Sequence, residues 1–184
     1  MSRLRKITEN DILDAAERVV VREGAAGLSI DAVAREAGVS KSRVVYDHKT
    51  KAELLRALVE RRISAEKLHI ESCVREKADT AHPEFYGRLA SAGQSFDEDE
   101  KAVALAICAS MSSEEAVQEI MRDWLQKELA AMENGPRGRA ARVAYLALYG
   151  FFTAEIFKFH DWSDEERRDI LDDIGKVFTS FPER

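Results

Sequence analysis

Cysteine is scarce: Cys73 and Cys108 are the only two among 184 residues. Two thiols cannot build a disulfide framework, so the reading is a protein of the reducing cytoplasm. Three prolines and nine glycines leave little material for turns, which favours long helices. Wholly apolar runs fall far short of the roughly 18 residues that a membrane span needs. The start, MSRLRKITEND, is basic but has no apolar stretch behind it, so no signal peptide is expected. No nucleophile–base pair, phosphate loop or closed metal motif stands out. An enzyme is therefore not expected, and no cofactor is implied.

What is present suits a soluble, all-α protein. The chain is long enough for one large or two small domains. The formal net charge is −6, which at first speaks against a nucleic-acid partner. The distribution reverses that. Residues 1–60 carry 11 Lys and Arg against 10 Asp and Glu, and the remainder carries 17 against 24. The acidic surplus thus lies outside the first third, where Lys41, Arg43, Lys49 and Lys51 cluster. With Arg3, Arg5 and Lys6 in the basic head, they suffice to neutralise phosphates.

That cluster falls in SIDAVAREAGVSKSRVVYDHKTKAELL, Ser29 to Leu55. Ser29 reads as the N-cap of a short helix, Ile30 to Ala37. Gly38 supplies the positive φ that ends it, and Ser40 caps a second helix to about Asp47. Ile30, Val33, Ala34, Val39, Val44 and Val45 form the expected apolar seam. Two short helices joined by a tight turn with Gly make a helix-turn-helix, about residues 29–48. Its second helix would turn Lys41, Ser42, Arg43 and Tyr46 outward, toward a DNA groove.

The run AREAGVSKSRVVYDHKTKAELL, preceded by ILDAAERVVVREG from Ile12 to Gly24, resembles the DNA-binding domain of the TetR family of bacterial transcriptional regulators. The resemblance is ungapped over about the first third of the chain. It departs at three positions: Val45 stands where the family usually has Tyr, His48 where it has Phe, and Asp47 where it often has His or Tyr. Tyr46 keeps one aromatic. The resemblance implies a homodimer on a double-stranded, palindromic DNA operator, released by a small-molecule effector bound in a C-terminal helical domain. The expected domains are 6–66, a three-helix DNA-binding domain, and 67–184, for ligand binding and dimerisation. Expected DNA contacts are Ser29, Ser40, Lys41, Ser42, Arg43, Tyr46, His48, Lys49 and Lys51. For His48 two readings stand, packing in place of the Phe or donating a ring N–H to phosphate.

About nine helices are expected. Thr8 and Asp11 have capping-box spacing for the first, whose stripe is Ile12, Ala15, Ala16, Val19 and Val20. Thr50 caps a fourth helix from Lys51 to about Ala78, with Leu54, Leu55, Leu58, Val59, Ile63, Leu68 and Ile70 on its stripe. Nothing interrupts it, and a rod spanning two domains can carry a displacement between them. Pro83 opens a fifth helix. Asp97 to Glu100 complement the dipole of a sixth. Ser112 or Ser113 caps a seventh, to about Glu133. The eighth, about Arg139 to His160, is apolar on more than one face. Ser163 and Glu166 cap the ninth, with Ile170, Leu171, Ile174, Val177, Phe178 and Phe181 on one stripe.

The last two helices carry more apolar surface than a thin domain hides, so a four-helix interface with a second copy is expected. Its candidates are Tyr145, Phe152, Ile170, Leu171, Ile174, Val177 and Phe178. Candidate effector-lining residues are Phe85, Leu89, Phe96, Cys108, Met111, Met121, Trp124, Tyr145, Tyr149 and Phe152, an adaptable apolar set that suits an apolar or aromatic molecule. Glu66, His69 and Cys73 share one face of the fourth helix and have metal-ligand chemistry, so a metal- or redox-responsive regulator of the same fold is an alternative. A helix-turn-helix module that has lost DNA binding is another.

Overall fold

The computed structural model of the protein describes residues 7–94 and 97–182. The described residues form nine α-helices: α1 Glu9–Gly27, α2 Ile30–Ala37, α3 Lys41–Asp47, α4 Lys51–Glu76, α5 Pro83–Ala92, α6 Glu98–Ser110, α7 Glu115–Glu133, α8 Gly138–Ile156 and α9 Asp164–Ser180. Among the described residues no helix is long and apolar enough to cross a membrane. Contacts divide the chain into two compact units, one of residues up to 62 with 97–120, the other of 63–96 with 121–184. α6 therefore groups with the helix-turn-helix helices, although it lies far downstream of residue 66.

In the first unit local signals set the helix ends. Thr8 and Asp11 close a reciprocal capping box on α1. Ile12, Leu13, Ala15, Ala16, Val19 and Val20 form its buried stripe, and the helical backbone breaks at Gly24, φ 69°. Ser29 accepts from the Ala32 N–H and starts α2. Gly38 ends α2 in the left-handed region, φ 67°, where a side chain would be strained. The Val39 N–H then returns to the Ala34 carbonyl at 2.9 Å and the Gly38 N–H to the Arg35 carbonyl at 3.3 Å, a Schellman stop. Val33 and Val44 are wholly buried between α2 and α3, and Ala34 is small enough to let them cross closely.

Ion pairs tie these helices to α1. Arg18 and Arg22 both reach Glu36 of α2, at 2.7 and 2.9 Å. The Glu36 carboxyl is held below its ordinary value by its bonds to Arg18 and Arg22. Arg61 of α4 pairs with Asp14 and Glu17 of α1, each at 2.6 Å. α6 packs on α1, and Arg62 reaches Glu100 at 2.9 Å. Asp97 and Glu100 close a capping box, so the acidic run at 97–100 serves its helix end.

The second unit is built on one core. Phe85 and Ala92 of α5, Met132 of α7, Ala140, Ala141, Ala144, Tyr145, Leu148 and Phe151 of α8, and Leu171, Ile174 and Phe178 of α9 bury one another. Phe85 stacks on Phe178 with centroids 4.7 Å apart. The small side chains of α8 leave room for the large ones of α9. His82 is the N-cap of α5: its Nδ1 accepts from the Phe85 N–H at 3.1 Å. Nε2 then carries the proton and donates to the Met132 carbonyl at 3.0 Å. At the other end of α5, Arg167 of α9 donates to the carbonyls of Ala92, Gly93 and Gln94 at 2.6, 3.1 and 3.2 Å. Glu155 neutralises it at 2.7 Å.

Arg88 and Glu128 make a charged pair inside this unit, at 7% and 5% exposure. Nη2 of Arg88 donates to Oε1 of Glu128 at 2.8 Å, and Nε donates to the other carboxylate oxygen. Nη1 donates to the carbonyl and carboxylate of Glu84, at 3.0 and 2.7 Å. Burial works against the guanidinium charge, but Glu128 and Glu84 outweigh it. Burial, and then Glu128, push the Tyr145 phenol far above its ordinary range.

Several local expectations change. Ser112 and Ser113 do not cap α7; their hydroxyls donate back to Ala109 and Ser110, and α7 starts at Glu115. α8 ends at Ile156, where Lys158 takes a positive φ of 51° and turns the chain. Leu68, expected on the α4 stripe, is exposed. α8 is covered on one face only, with Leu146 and Tyr149 left exposed on the other.

Candidate nucleic-acid interface

The interface is built from α3 outward. Ser40 Oγ accepts from the Arg43 N–H at 3.3 Å and fixes the start of this helix. Val44 anchors its inner side. Seven residues are too few for a helix that stands alone, so α3 depends on that anchor and cap. Lys41, Ser42, Val45 and Tyr46 are exposed, Tyr46 to 83%. Lys49 continues this exposed surface, and its N–H donates to Glu53 at 2.8 Å. A groove of about 730 Å³ runs beside the helix, lined by Ile7, Val39, Ser40, Arg43 and Tyr46.

The expected contacts thus separate into groups. Lys41 and Ser42 are exposed and locally paired: Lys41 Nζ reaches Asp31 at 2.9 Å and Ser42 Oγ lies 2.9 Å from Ser40 Oγ. Arg43 is half-buried and held: Nη1 donates to Asp47 at 2.6 Å, Nη2 donates to the Ile7 carbonyl at 3.2 Å, and the guanidinium lies 5.8 Å from the Tyr46 ring centroid. The bond that Arg43 donates to Asp47 raises its pKa further. Lys51 Nζ donates to the Ala25 carbonyl at 3.1 Å, so in this state it caps the end of α1. Ser29 is committed to its own cap bond.

His48 is buried, ends α3, and gives its N–H to the Val44 carbonyl at 2.8 Å. Nε2 has no hydrogen-bond partner and lies 3.8 Å from a Glu9 carboxylate oxygen. The ring occupies the packed position of an aromatic, and its free nitrogen faces protein rather than solvent. Two residues of this surface escaped the sequence reading. The sequence pattern places Val45 in the seam, but the crossing of α2 and α3 buries Val44 and turns Val45 out. Asp47 stands out in the sequence only as a departure from a pattern, although its i,i+4 spacing from Arg43 announces the pair. Arg3, Arg5 and Lys6 lie outside the described residues.

The expected effector set is dispersed. Phe85, Leu89, Tyr145 and Phe152 meet in the core of the second unit. Met121 and Trp124 are half-buried on α7, outside that cluster, and Tyr149 is exposed. Cys108 and Met111 belong to the first unit. Phe96 lies outside the described residues. Of the expected dimer residues, Tyr145, Leu171, Ile174 and Phe178 are buried in the chain's own core. Phe152, Ile170 and Val177 are half-buried at its edge.

His69 Nε2 lies 3.8 Å from Cys73 Sγ. Yet among the described residues no group of three His, Cys, Asp or Glu side chains is placed to hold a metal ion. Both cysteines are free thiols, and burial pushes both pKa values up. A thiol held protonated is a poor redox sensor.

Residues 12–58 match the family model described as bacterial regulatory proteins, tetR family. Residues 88–177 match a second, described as tetracyclin repressor-like, C-terminal domain. Among curated proteins nothing matches. Several solved structures share the fold. A TetR-family transcriptional regulator from Mesorhizobium loti is 19% identical, with a TM-score of 0.75 over 93% of this chain and 94% of its own. The multidrug binding protein EbrR, solved with imidazole, is 23% identical, with a TM-score of 0.67 over 90% and 88%. A transcriptional regulator from Saccharomonospora viridis, solved with choline, is 17% identical, with a TM-score of 0.70 over 91% and 94%.

Proposed function

The chain belongs to the TetR family of bacterial DNA-binding transcriptional regulators, and from that membership we propose a ligand-responsive repressor that leaves its operator when an apolar or aromatic small molecule binds. The family is one of regulators and not of enzymes. The observation that carries the reading is the outer face of α3, where Lys41, Ser42 and Tyr46 stand exposed on a helix that Ser40 and Val44 hold in place. Lys41 and Lys49 supply phosphate contacts, and Arg43 reads a base edge. Residues 6–66 serve as the DNA-binding domain and residues 67–184 as the effector and dimerisation domain, working in the cytoplasm.

The repressor acts as a homodimer on a palindromic operator, with its two recognition helices about 34–36 Å apart or a multiple of that. The apolar side chains that α8 leaves exposed, Leu146 and Tyr149, support a second copy as their cover. The small molecules carried by two structural relatives, imidazole and choline, support a small-molecule effector. The effector acts by favouring a conformation in which the two recognition helices no longer fit successive grooves. It shifts that equilibrium only as far as its affinities for the two conformations differ.

The test is fluorescence-anisotropy titration of the DNA flanking the protein's own gene, and of random duplex, at two salt concentrations. Wild type should bind the flanking DNA at least about a thousandfold more tightly than random duplex, with a steep salt dependence. Lys41→Ala/Arg43→Ala should abolish that preference. A double variant that keeps the wild-type preference for the flanking DNA would refute the assignment of α3 as the reading helix.

A further inference from the structure

Asp47 is the wrong charge in the wrong place for a helix that lies in a DNA groove. It is the last residue of α3, where the helix dipole disfavours an anion. It borders a surface that must approach a polyanion. Its pairing with Arg43 has the base N-terminal to the acid, the weaker orientation for residues four apart. Helix stability therefore gives only a weak reason for an acid here.

What Asp47 does is hold Arg43. Its side chain is 11% exposed and that of Arg43 30%, so the pair is partly shielded from water and salt. One guanidinium N–H goes to Asp47 and one to the Ile7 carbonyl, while the Tyr46 ring lies alongside. A guanidinium has five N–H groups, so three remain for DNA. Lys41 contrasts with it: both it and its partner Asp31 are well exposed, and water and salt loosen such a pair.

Resting on the DNA-binding reading above, we infer that Asp47 is a specificity-determining residue that works through Arg43. Its carboxylate holds the guanidinium against α3 and cancels its attraction for phosphate. Arg43 then engages DNA where a guanine edge offers two acceptors together, and not at any backbone oxygen. The acid costs affinity everywhere and returns it as discrimination.

The experiment starts by enriching duplexes from a random pool with the wild-type full chain. The enriched duplex and a scrambled one are then titrated over a salt series with wild type, Asp47→Asn, Arg43→Ala and the double variant. Asp47→Asn should bind the scrambled duplex roughly tenfold more tightly. Its plot of log K against log salt should steepen by about 0.9 per subunit, one added phosphate contact. Its preference at the base pair that Arg43 reads should flatten. In the Arg43→Ala background, Asp47→Asn should change each quantity less than twofold. The inference is overturned if Asp47→Asn leaves discrimination and salt slope unchanged, weakens both duplexes equally, or acts as strongly without Arg43. If the wild type enriches no sequence, the DNA-binding reading fails first and this inference with it.

Discussion

Replacing Glu128 with Ala tests the interior of the second unit most directly. The substitution leaves the Arg88 guanidinium buried with one of its two carboxylates gone. Breaking a buried pair by removing one partner costs about 3–5 kcal/mol, because the remaining charge is uncompensated. Arg88 keeps its bonds to the carbonyl and carboxylate of Glu84, so the lower end applies, about 3 kcal/mol. For a chain of this size each kcal/mol moves the melting temperature by about 2–4 °C, so a fall of about 6–12 °C is expected. Thermal melts followed by circular dichroism, with urea titration alongside, read it. Removing both charges should reverse the loss: Arg88→Met/Glu128→Leu should lie within about 1 kcal/mol of wild type or above it. A loss below about 1 kcal/mol for Glu128→Ala would mean that water reaches the pair, and would refute the buried geometry. So would a double variant no better than the single one.

Two further substitutions probe other joints. A Cβ on Gly135 would lie 2.5 Å from Nε2 of His82, whose ring is pinned by Phe85 and Met132. Gly135→Ala should therefore cost about 1–3 kcal/mol in urea titration, and the penalty should vanish in a His82→Ala background. Glu36 titrates below its ordinary value of 4.5 because Arg18 and Arg22 bond its carboxylate. A depressed pKa means stability that is full above 4.5 and is lost as pH falls through the folded value. Glu36→Gln should melt slightly lower than wild type at pH 7 and flatten the fall in melting temperature between about pH 5 and 3. An unchanged acid profile would show that the pair contributes nothing in solution.

The sequence was most legible where structure is local. Thr8 with Asp11, Ser29, Ser40, and Ser163 with Glu166 all cap the helices they are expected to cap. Each bond spans three residues, so spacing alone specifies it. His82 escaped notice because a ring nitrogen rarely serves as a cap, and its other bond lies 50 residues away. Arg88 and Glu128 are 40 residues apart. Periodicity shows that a residue faces inward, but not which partner waits there. The same limit explains the dimer residues. Leu171, Ile174 and Phe178 form a clean stripe, and a stripe looks the same whether its own chain or a second copy covers it. Small residues on the facing side of α8, Ala140, Ala141 and Ala144, decide for the chain itself. On α3 the exposed positions followed from the turn at Gly38, except for Val45, because two adjacent valines leave the phase of a seven-residue helix open.

Arg167 sets an order of events during synthesis. The carbonyls that end α5 find their donor 75 residues later in the chain. At ribosomal speeds of about 5–20 residues per second, roughly 4–15 s separate the emergence of the two. Throughout that interval the end of α5 is bare, and the Phe85 ring still lacks Phe178. α9 thus completes the second unit, whose core lacks Leu171, Ile174 and Phe178 without it. A proteolytic cut between α8 and α9 leaves a fragment that displays the unpaired carbonyls at the end of α5 and aromatic core surface together. Such a fragment should be degraded faster than the whole protein.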